Sequence, residues 1–484
     1  MTSISNYIRD TSSNETKSPE RIASLDFQRG LAIFIMIFVH GAANIIDYSY
    51  IEDDLSVIGS MPIPILMIFV LLAFFAVWNS YFLLISVIVN SYAMAKGIEN
   101  NKDPNKILFK QLLTGGGLLI ANYIQLSFFA TGYFGMVLKT GDWSNTYPLW
   151  NGFFQMGTLR IIGWSLIVLS ILLFFLLRNN GYKKFYRNIA ILGCLAIAVI
   201  VPSQFINNWV DSINWTIPSQ LPVGVNIGSD VWWPNTHFQA LNASIKAWFC
   251  ALISGDIEPL FPFLATAFIG GIIGLCLSKP DKIKRLPLIG GLTGVGFMGM
   301  GVPLLIFHEF TFGTMRPSIG NYFLMLGGQL CSLFFFLWIV EYRGKGQKFG
   351  ENIVVKHFRL WGMASLSLFV IDIADTLPRW IFGMFYNLIF NTDINTISGG
   401  VFGQGQEHIA LLYALISLIF FEIIILVWSR VNFFLSFEWC IVRLVGIITK
   451  QPSKRLKVDV MMNDIKWINF REKVKAQKNI APIG

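Results

Sequence analysis

Residues 21–46, RIASLDFQRGLAIFIMIFVHGAANII, decide the fold class, because they are apolar enough to cross a bilayer yet carry charged groups. Ten residues separate Arg29 from His40. On a helix these two side chains lie roughly on one face, about 16 Å apart along the axis. Both are expensive to place in hydrocarbon, so their presence needs a reason. One explanation is purely structural, because an Arg near a helix end can snorkel to the membrane surface and a His can pack between helices.

The composition of the whole chain predicts a polytopic helical membrane protein. Of its 484 residues, 54% are apolar and only 13% are charged, about half the charged fraction of a soluble protein. Repeated apolar runs predict helices rather than a barrel of alternating strands. We therefore expect an all-α bundle of about ten transmembrane helices, or eleven if residues 63–95 cross twice. The five cysteines lack paired spacing, which predicts neither a disulfide framework nor a zinc site.

The distribution of basic residues predicts the orientation of the bundle. Lys and Arg cluster in the connections at 178–187, 279–285 and 343–348, whereas the alternate connections are acidic or neutral. The positive-inside bias then places both termini of a multi-pass cell-membrane protein in the cytoplasm. It also explains the net charge of +9 without a nucleic-acid partner.

Three regions follow from this pattern. Residues 1–20 are predicted to be a short disordered cytosolic arm. Residues 21–430 form the transmembrane domain, which has a large outer loop over 206–256. Residues 431–484 are expected to be an interfacial helix and a basic cytosolic tail. Membrane lipids are therefore expected partners, and the pattern leaves a homodimer open.

Polar residues at matched heights predict a site inside the bundle. His40 lies about 22 Å from the start of its span. If the ninth predicted span, 358–381, is a straight helix, Asp372 and Asp375 lie at a similar height in the membrane. Asn122 and Gln125 lie at about the same height on the third predicted span.

A His with carboxylates and amides is the pattern of a base, an orienting acid and polar substrate contacts. Interhelical hydrogen bonds are the structural alternative. The cost of burying acids in a membrane favours the functional interpretation.

The run over 24–40, SLDFQRGLAIFIMIFVH, resembles the opening helix of transmembrane acyltransferases. These are the acyltransferase-3 family and its relatives, which include heparan-α-glucosaminide N-acetyltransferase. The shared pattern is Leu-Asp, then Arg-Gly-Leu-Ala, then a His. Three later runs resemble family motifs in the same order: FFQMGTLRIIGW at 153–164, EPLFPFLATAFIGGIIG at 258–274 and RLWGMASLSLFV at 359–370.

The resemblance implies transfer of an acyl group, usually acetyl, from cytosolic acyl-CoA to a sugar or glycan acceptor on the outer side. It implies His40 as the catalytic base or transient acyl carrier, with Arg29 helping to hold the donor. The matched heights, rather than the resemblance, make Asp372 or Asp375 the expected orienting acid. Acetyl-CoA would be a co-substrate, and no metal is expected.

The anionic phosphates of such a donor need positive charge on the cytosolic side. Arg29 and Arg21 are the candidate donor-binding residues there. Arg160 in the fourth predicted span is a third, and it could instead pair with an acid. Glu309, in an outer connection, is a further candidate substrate contact beside Asn122 and Gln125.

A second function class remains open. In a proton-coupled transporter or flippase, His40, Asp372 and Asp375 would be proton-coupling groups. Broken helices or inverted repeats would favour that class.

Overall fold

The structure of the chain is a computed structural model that describes most, but not all, of its residues. The described residues are 20–43, 45–47, 62–64, 66–67, 79–128, 133–134, 137, 142–221, 234–306, 316–371, 376–392, 394, 401–403, 405–449, 457–463 and 465–473. The predicted arm over 1–20 lies outside them except for Glu20. The candidate residues Asp372, Asp375 and Glu309 lie outside them as well.

The first half of the chain forms one short strand and a series of apolar helices. These elements are β1 (Glu20–Arg21), α1 (Ala23–Ala43), α2 (Asn79–Glu99), α3 (Pro104–Phe128), α4 (Tyr147–Phe154), α5 (Thr158–Leu177), α6 (Phe185–Ile200), α7 (Ser203–Asp211), α8 (Pro234–Asn242) and α9 (Ile245–Ser254).

The second half continues the bundle and ends in a strand that returns to β1. Its elements are α10 (Leu260–Ser278), α11 (Leu286–Leu304), α12 (Ile319–Leu337) with a π-helical turn over Trp338–Tyr342, α13 (Gly346–Glu351), α14 (Ile353–Met363), α15 (Ser365–Ile371), α16 (Thr376–Phe390), α17 (Glu407–Arg430), α18 (Phe437–Thr449), α19 (Val458–Asn463) and β2 (Lys466–Trp467).

The predicted fold class is confirmed: the protein is an all-α polytopic membrane bundle. Within the described residues, nine helices are long and apolar enough to cross a membrane, and ten if α14 and α15 together form one span. The predicted single span over 63–95 falls partly on residues 68–78, which lie outside the described part, and α2 covers its second half.

Two predicted spans are not single straight helices. The fourth is divided at residues 155–157 into α4 and α5. The ninth is bent by 62° between α14 and α15. The prediction of one straight helix over 358–381 is therefore wrong.

A carboxylate from a distant part of the chain stabilises this bend. Glu438 of α18 accepts hydrogen bonds from the backbone N–H groups of Leu366 and Ser367, at the start of α15. These N–H groups would otherwise be orphaned donors of a helix end inside the protein. The heights expected for Asp372 and Asp375 were counted along a straight helix, and both residues lie outside the described part of the chain.

The two ends of the bundle can be defined from contacts. Glu341, in the π-helical turn after α12, touches Ser24 at the start of α1. Glu99 at the end of α2 pairs with Lys279, just after α10, at 3.2 Å. The early turns of α11 pack against the last turns of α12. We call this the basal end of the bundle. The opposite end, where α1 ends and where α5 and α10 begin, is the distal end.

The helices α1 and α14 approach each other closely at two glycines. A Cβ placed on Gly30 would lie 1.6 Å from the carbonyl oxygen of Phe358, and one on Gly362 would lie 3.3 Å from that of Asp26. Aromatic rings close the contact, because Phe34 packs edge-on against Phe358 at 5.2 Å. Only residues without side chains allow backbones to come this close.

Buried polar contacts fix the first turns of α1. The backbone N–H and the hydroxyl of Ser24 both donate to the carboxylate of Glu341, at 2.9 and 2.7 Å. One turn later Gln28 accepts a hydrogen bond from Tyr81 of α2. Such contacts satisfy donors that a helix start leaves without partners.

The C-terminal region packs on the basal end. The strand β2 pairs in parallel with β1, and the backbone N–H of Ile468 donates to the carbonyl of Arg21 at 2.9 Å. Ile468 and Phe470 are each only 1% exposed. Part of the predicted tail is thus a folded element of the protein.

We expect Gly30→Ala to destabilise the protein by about 1–3 kcal/mol or more, because the new methyl group cannot fit against the α14 backbone. Thermal unfolding of the purified protein in detergent measures this loss. Gly116→Ala in α3 is the matched control, since a Cβ there would meet no atom within 4 Å. An equal melting temperature for both variants would contradict the close crossing.

Candidate functional site

Three arginines meet at the basal end. Arg21, Arg29 and Arg359 line one narrow cleft, with no room for a water molecule in this structure, together with Asp26, Met363 and Met461. The guanidinium of Arg21 forms an ion pair with Asp26 at 3.1 Å. Two of the predicted donor-binding residues, Arg21 and Arg29, are therefore neighbours in space.

The fold positions each of these guanidinium groups differently. Arg29 precedes Gly30 and so lies at the close crossing of α1 and α14. Arg359 donates to the carbonyls of Gly350 and Met461, at 3.0 and 2.5 Å. Its guanidinium also stacks over the ring of Trp467, 4.5 Å from the centroid. The C-terminal segment thus helps to orient one arginine of the cluster.

Positive charge exceeds negative charge in this cleft. Asp26 is the one acid among its lining residues, against three arginines. Glu438 is also near enough to act on Arg29. Burial raises the pKa of the Glu438 carboxyl, although its hydrogen bonds to Ser367 oppose that rise.

Arg29 retains unused hydrogen-bonding capacity. Its Nε atom is buried and has no hydrogen-bond partner among the described residues. A buried donor without a partner costs about 1–3 kcal/mol. The combination of excess positive charge and a free donor is suited to an anion such as a phosphate.

Arg160, the third predicted donor-binding residue, has a different environment. It lies in the first turn of α5, at the distal end, and donates to the carbonyls of Phe153 and Gln155 at 2.8 and 3.1 Å. Its guanidinium also lies over the ring of Trp248, 5.9 Å from the centroid. The structure therefore does not bring Arg160 to the basal cleft; it bridges the break between α4 and α5.

His40 lies in the last turn of α1 and is partly exposed. The helix here packs against α17, with Gly41 against Ala414 and Ser417. The rise along α1 places His40 about 26 Å from Ala23, hence near the distal end. The predicted partner acids fall outside the described residues.

The two predicted amides lie on α3 at a similar height. Gln125 donates to the carbonyl of Phe369 in α15 at 3.0 Å. Asn122 is only 2% exposed, and its Oδ1 atom has no hydrogen-bond partner within the described residues. A Cβ placed on Gly157 would lie 3.0 Å from this oxygen. Asn122 thus faces the break between α4 and α5.

Glu258 is a buried acid that the sequence analysis did not select. It is 0% exposed and adopts a φ of 38°, a conformation rare for residues other than glycine. Neither carboxylate oxygen makes a hydrogen bond of ordinary geometry to the described residues. Burial raises its pKa to about 7, with the Thr158 hydroxyl close enough to oppose the rise. An acid directly before the proline that precedes an apolar helix was the available signal.

Comparison of the chain with models of known protein families and with curated proteins gives no match. Within the described residues, no group of three or more His, Cys, Asp or Glu side chains comes together as a metal site. The functional argument therefore rests on the basal cleft and the distal polar residues.

Glu258 should make the stability of the protein depend on pH. Its folded-state pKa of about 7 exceeds the ordinary value of 4.5. The stability that the neutral form provides is therefore present below about pH 4.5 and is lost as the pH rises through 7. Glu258→Gln keeps a neutral side chain, so it should be more stable than wild type at pH 8, by on the order of 3 kcal/mol.

Thermal unfolding in choline chloride buffer at pH 4.5 and pH 8 measures this difference. We expect similar melting temperatures at pH 4.5 and a higher one for the variant at pH 8. Parallel pH profiles for the two proteins would show that Glu258 does not titrate in this range.

Proposed function

We propose that the protein is a membrane-embedded acyltransferase. It takes an acyl group, with acetyl the expected one, from cytosolic acyl-CoA and transfers it to a sugar or glycan acceptor on the outer side of the cell membrane. The observation that carries this proposal is the basal cleft, where three arginines face one lining acid. The resemblance of residues 24–40 to acyltransferases adds the reaction class.

The basal cleft is the proposed anchor for the coenzyme phosphates. Guanidinium groups bind phosphate oxygens in pairs, and the free Nε of Arg29 supplies one such donor. The connection between α10 and α11 carries Lys279, Lys282, Lys284 and Arg285 at the same end of the bundle. In the proposed orientation this end faces the cytoplasm, where acyl-CoA is available.

His40 is the proposed base at the distal end. It lies eleven residues beyond Arg29, about 16 Å along α1 and roughly on the same face. The acceptor's hydroxyl or amine attacks the thioester carbonyl, the new bond to carbon forms, and the carbon–sulfur bond breaks. His40 takes the acceptor's proton and returns it to the leaving thiolate. Alternatively, His40 carries the acyl group transiently.

A second candidate function is favoured by the broken spans. Transporters often bind substrates and ions where membrane helices are interrupted. The break between α4 and α5 and the 62° bend between α14 and α15 are two such interruptions. In that case the basal cleft would bind an anionic substrate, and His40 would be a proton-coupling group.

We expect Arg29→Ala to weaken coenzyme A binding by about tenfold to a hundredfold. A charged hydrogen bond contributes about 1.5–3 kcal/mol, and each 1.4 kcal/mol is tenfold in affinity. Calorimetry of the purified protein with coenzyme A measures the effect. Arg430→Ala is the matched control, because this arginine at the end of α17 is exposed and does not line the cleft. Unchanged coenzyme A affinity in a well-folded Arg29→Ala protein would show that Arg29 is only a snorkelling residue.

We expect His40→Ala to lower acyl transfer by about 10²–10⁴, while coenzyme A binding stays near wild type. His40→Gln should be equally impaired, because an amide cannot accept the proton. Transfer to a sugar acceptor per folded molecule, with melting temperature measured alongside, tests this. A stable His40→Ala protein with wild-type transfer would remove His40 from the mechanism. Proton-coupled transport of an anion by wild type, without transfer, would favour the second function.

A further inference from the structure

The distal end contains three buried oxygen atoms that make no hydrogen bond of ordinary geometry to the described residues. They are both carboxylate oxygens of Glu258 and Oδ1 of Asn122, and the Thr158 hydroxyl is the donor close enough to act on Glu258. Glu258 and Asn122 are 0% and 2% exposed. All three atoms are acceptors, and one of the groups can carry a negative charge.

Glu258 and Asn122 are linked through the break between α4 and α5. The hydroxyl of Thr158, the first residue of α5, acts on Glu258. Gly157, directly before it, is the residue whose Cβ would meet Asn122 Oδ1 at 3.0 Å. On the other side of the break, a Cβ on Gly255 would lie 3.1 Å from Met156. The loop after α9 therefore brings Glu258 to the interrupted span.

Among the described residues, no charged group acts on the Glu258 carboxyl. Arg160 lies at the same break and keeps its positive charge, but its guanidinium is directed at backbone carbonyls, and the other titratable groups of the distal end have partners of their own. These pairs are Asp256 with Thr236, His237 with Tyr147, Arg160 with the carbonyls of Phe153 and Gln155, Arg316 with Asp211, and Lys246 over the ring of Trp215.

We propose that Glu258, Asn122 and Thr158 form a binding site for a monovalent cation at the break of the fourth span. The occupant is either an inorganic ion such as Na⁺ or the ammonium group of an organic ligand, since both are satisfied by oxygen acceptors and one negative charge. This proposal does not depend on acyl transfer.

The chemistry of the site favours a cation over other ligands. An anion would be repelled by the carboxylate, and a neutral apolar group would leave the oxygens unsatisfied. Hard cations prefer carboxylate, carbonyl and hydroxyl oxygens. Interrupted membrane helices are recurrent places for such ions. At this break Arg160 already binds the carbonyls of Phe153 and Gln155, so the open acceptors are the oxygens of Glu258 and Asn122.

The strained backbone of Glu258 also fits a binding role. A non-glycine residue at positive φ costs on the order of 1–3 kcal/mol and persists where surrounding structure enforces it. Here the enforced conformation holds an acid in the protein interior, next to a helix break. The strained backbone and the buried acid both lower the stability of the protein, and a bound cation would offset this cost.

The test is thermal unfolding of the full-length protein in detergent, at pH 8 and constant ionic strength. NaCl or methylammonium chloride replaces choline chloride in steps. We expect one of the two small cations to raise the melting temperature of wild type by several degrees, with saturation. Stabilisation by Na⁺ assigns an inorganic ion, and stabilisation by methylammonium assigns an organic ammonium group.

The site should show competition between the cation and a proton. With the Glu258 pKa at about 7, the apparent affinity for the cation should weaken about tenfold from pH 8 to pH 6. Direct binding of radioactive Na⁺, or competition by methylammonium, measures the same quantity without unfolding the protein.

Two variants make the result decisive. Glu258→Gln should abolish the cation response, whereas Asp211→Asn, which removes a half-exposed acid at the same end, should leave it unchanged. If Glu258→Gln does not fold, Asn122→Asp supplies the test, because a second carboxylate should increase cation affinity. An equal response in wild type and Glu258→Gln, or no response of wild type to either cation, would overturn the proposal.

Discussion

The close crossing of α1 and α14 is the constraint on which the basal half of the structure depends. Gly30 and Gly362 remove the side chains that would separate the two backbones. The approach then brings Arg29 and Arg359 to the same cleft, although like charges repel. Asp26 offsets part of that repulsion, and Arg359 is held by two carbonyls and a Trp ring. The excess charge is tolerated because neighbouring groups fix its geometry.

Buried acids have two different roles in this bundle. Glu341 and Glu438 accept hydrogen bonds from the starts of α1 and α15, so each satisfies donors that a helix end leaves free. Their contribution is structural, and replacing either would orphan backbone groups. Glu258 differs, because it lacks such donors within the described residues and adopts a positive φ. Burial alone therefore does not identify a functional acid. A buried acid that caps no helix end is the better candidate.

The sequence predicts the elements of this fold better than it predicts the contacts between them. Hydropathy predicts the all-α polytopic class and identifies α1, and the charge within that apolar run brings Arg29 to attention. It does not predict Arg359 as a neighbour of Arg29, because that contact depends on a helix crossing between residues far apart in the chain. The bend at α15 was also missed, since its cause, Glu438, lies in another helix. Glu258 was missed because an acid beside a span end normally lies in solvent.

The two ends of the bundle offer opposite chemistry, and this asymmetry bears on the choice between the two functions. The basal cleft has excess positive charge and a free donor, whereas the distal break has open acceptor oxygens and a buried acid that balances the single Arg160 guanidinium there. A ligand carried through the whole protein would have to suit both environments in turn. The proposed acyl transfer would avoid that demand, because the phosphates of the donor would stay at the basal arginines and only its neutral acyl end would need to reach His40. A cation at the distal break is compatible with either function. The charge distribution therefore favours a stationary donor over a transported anion.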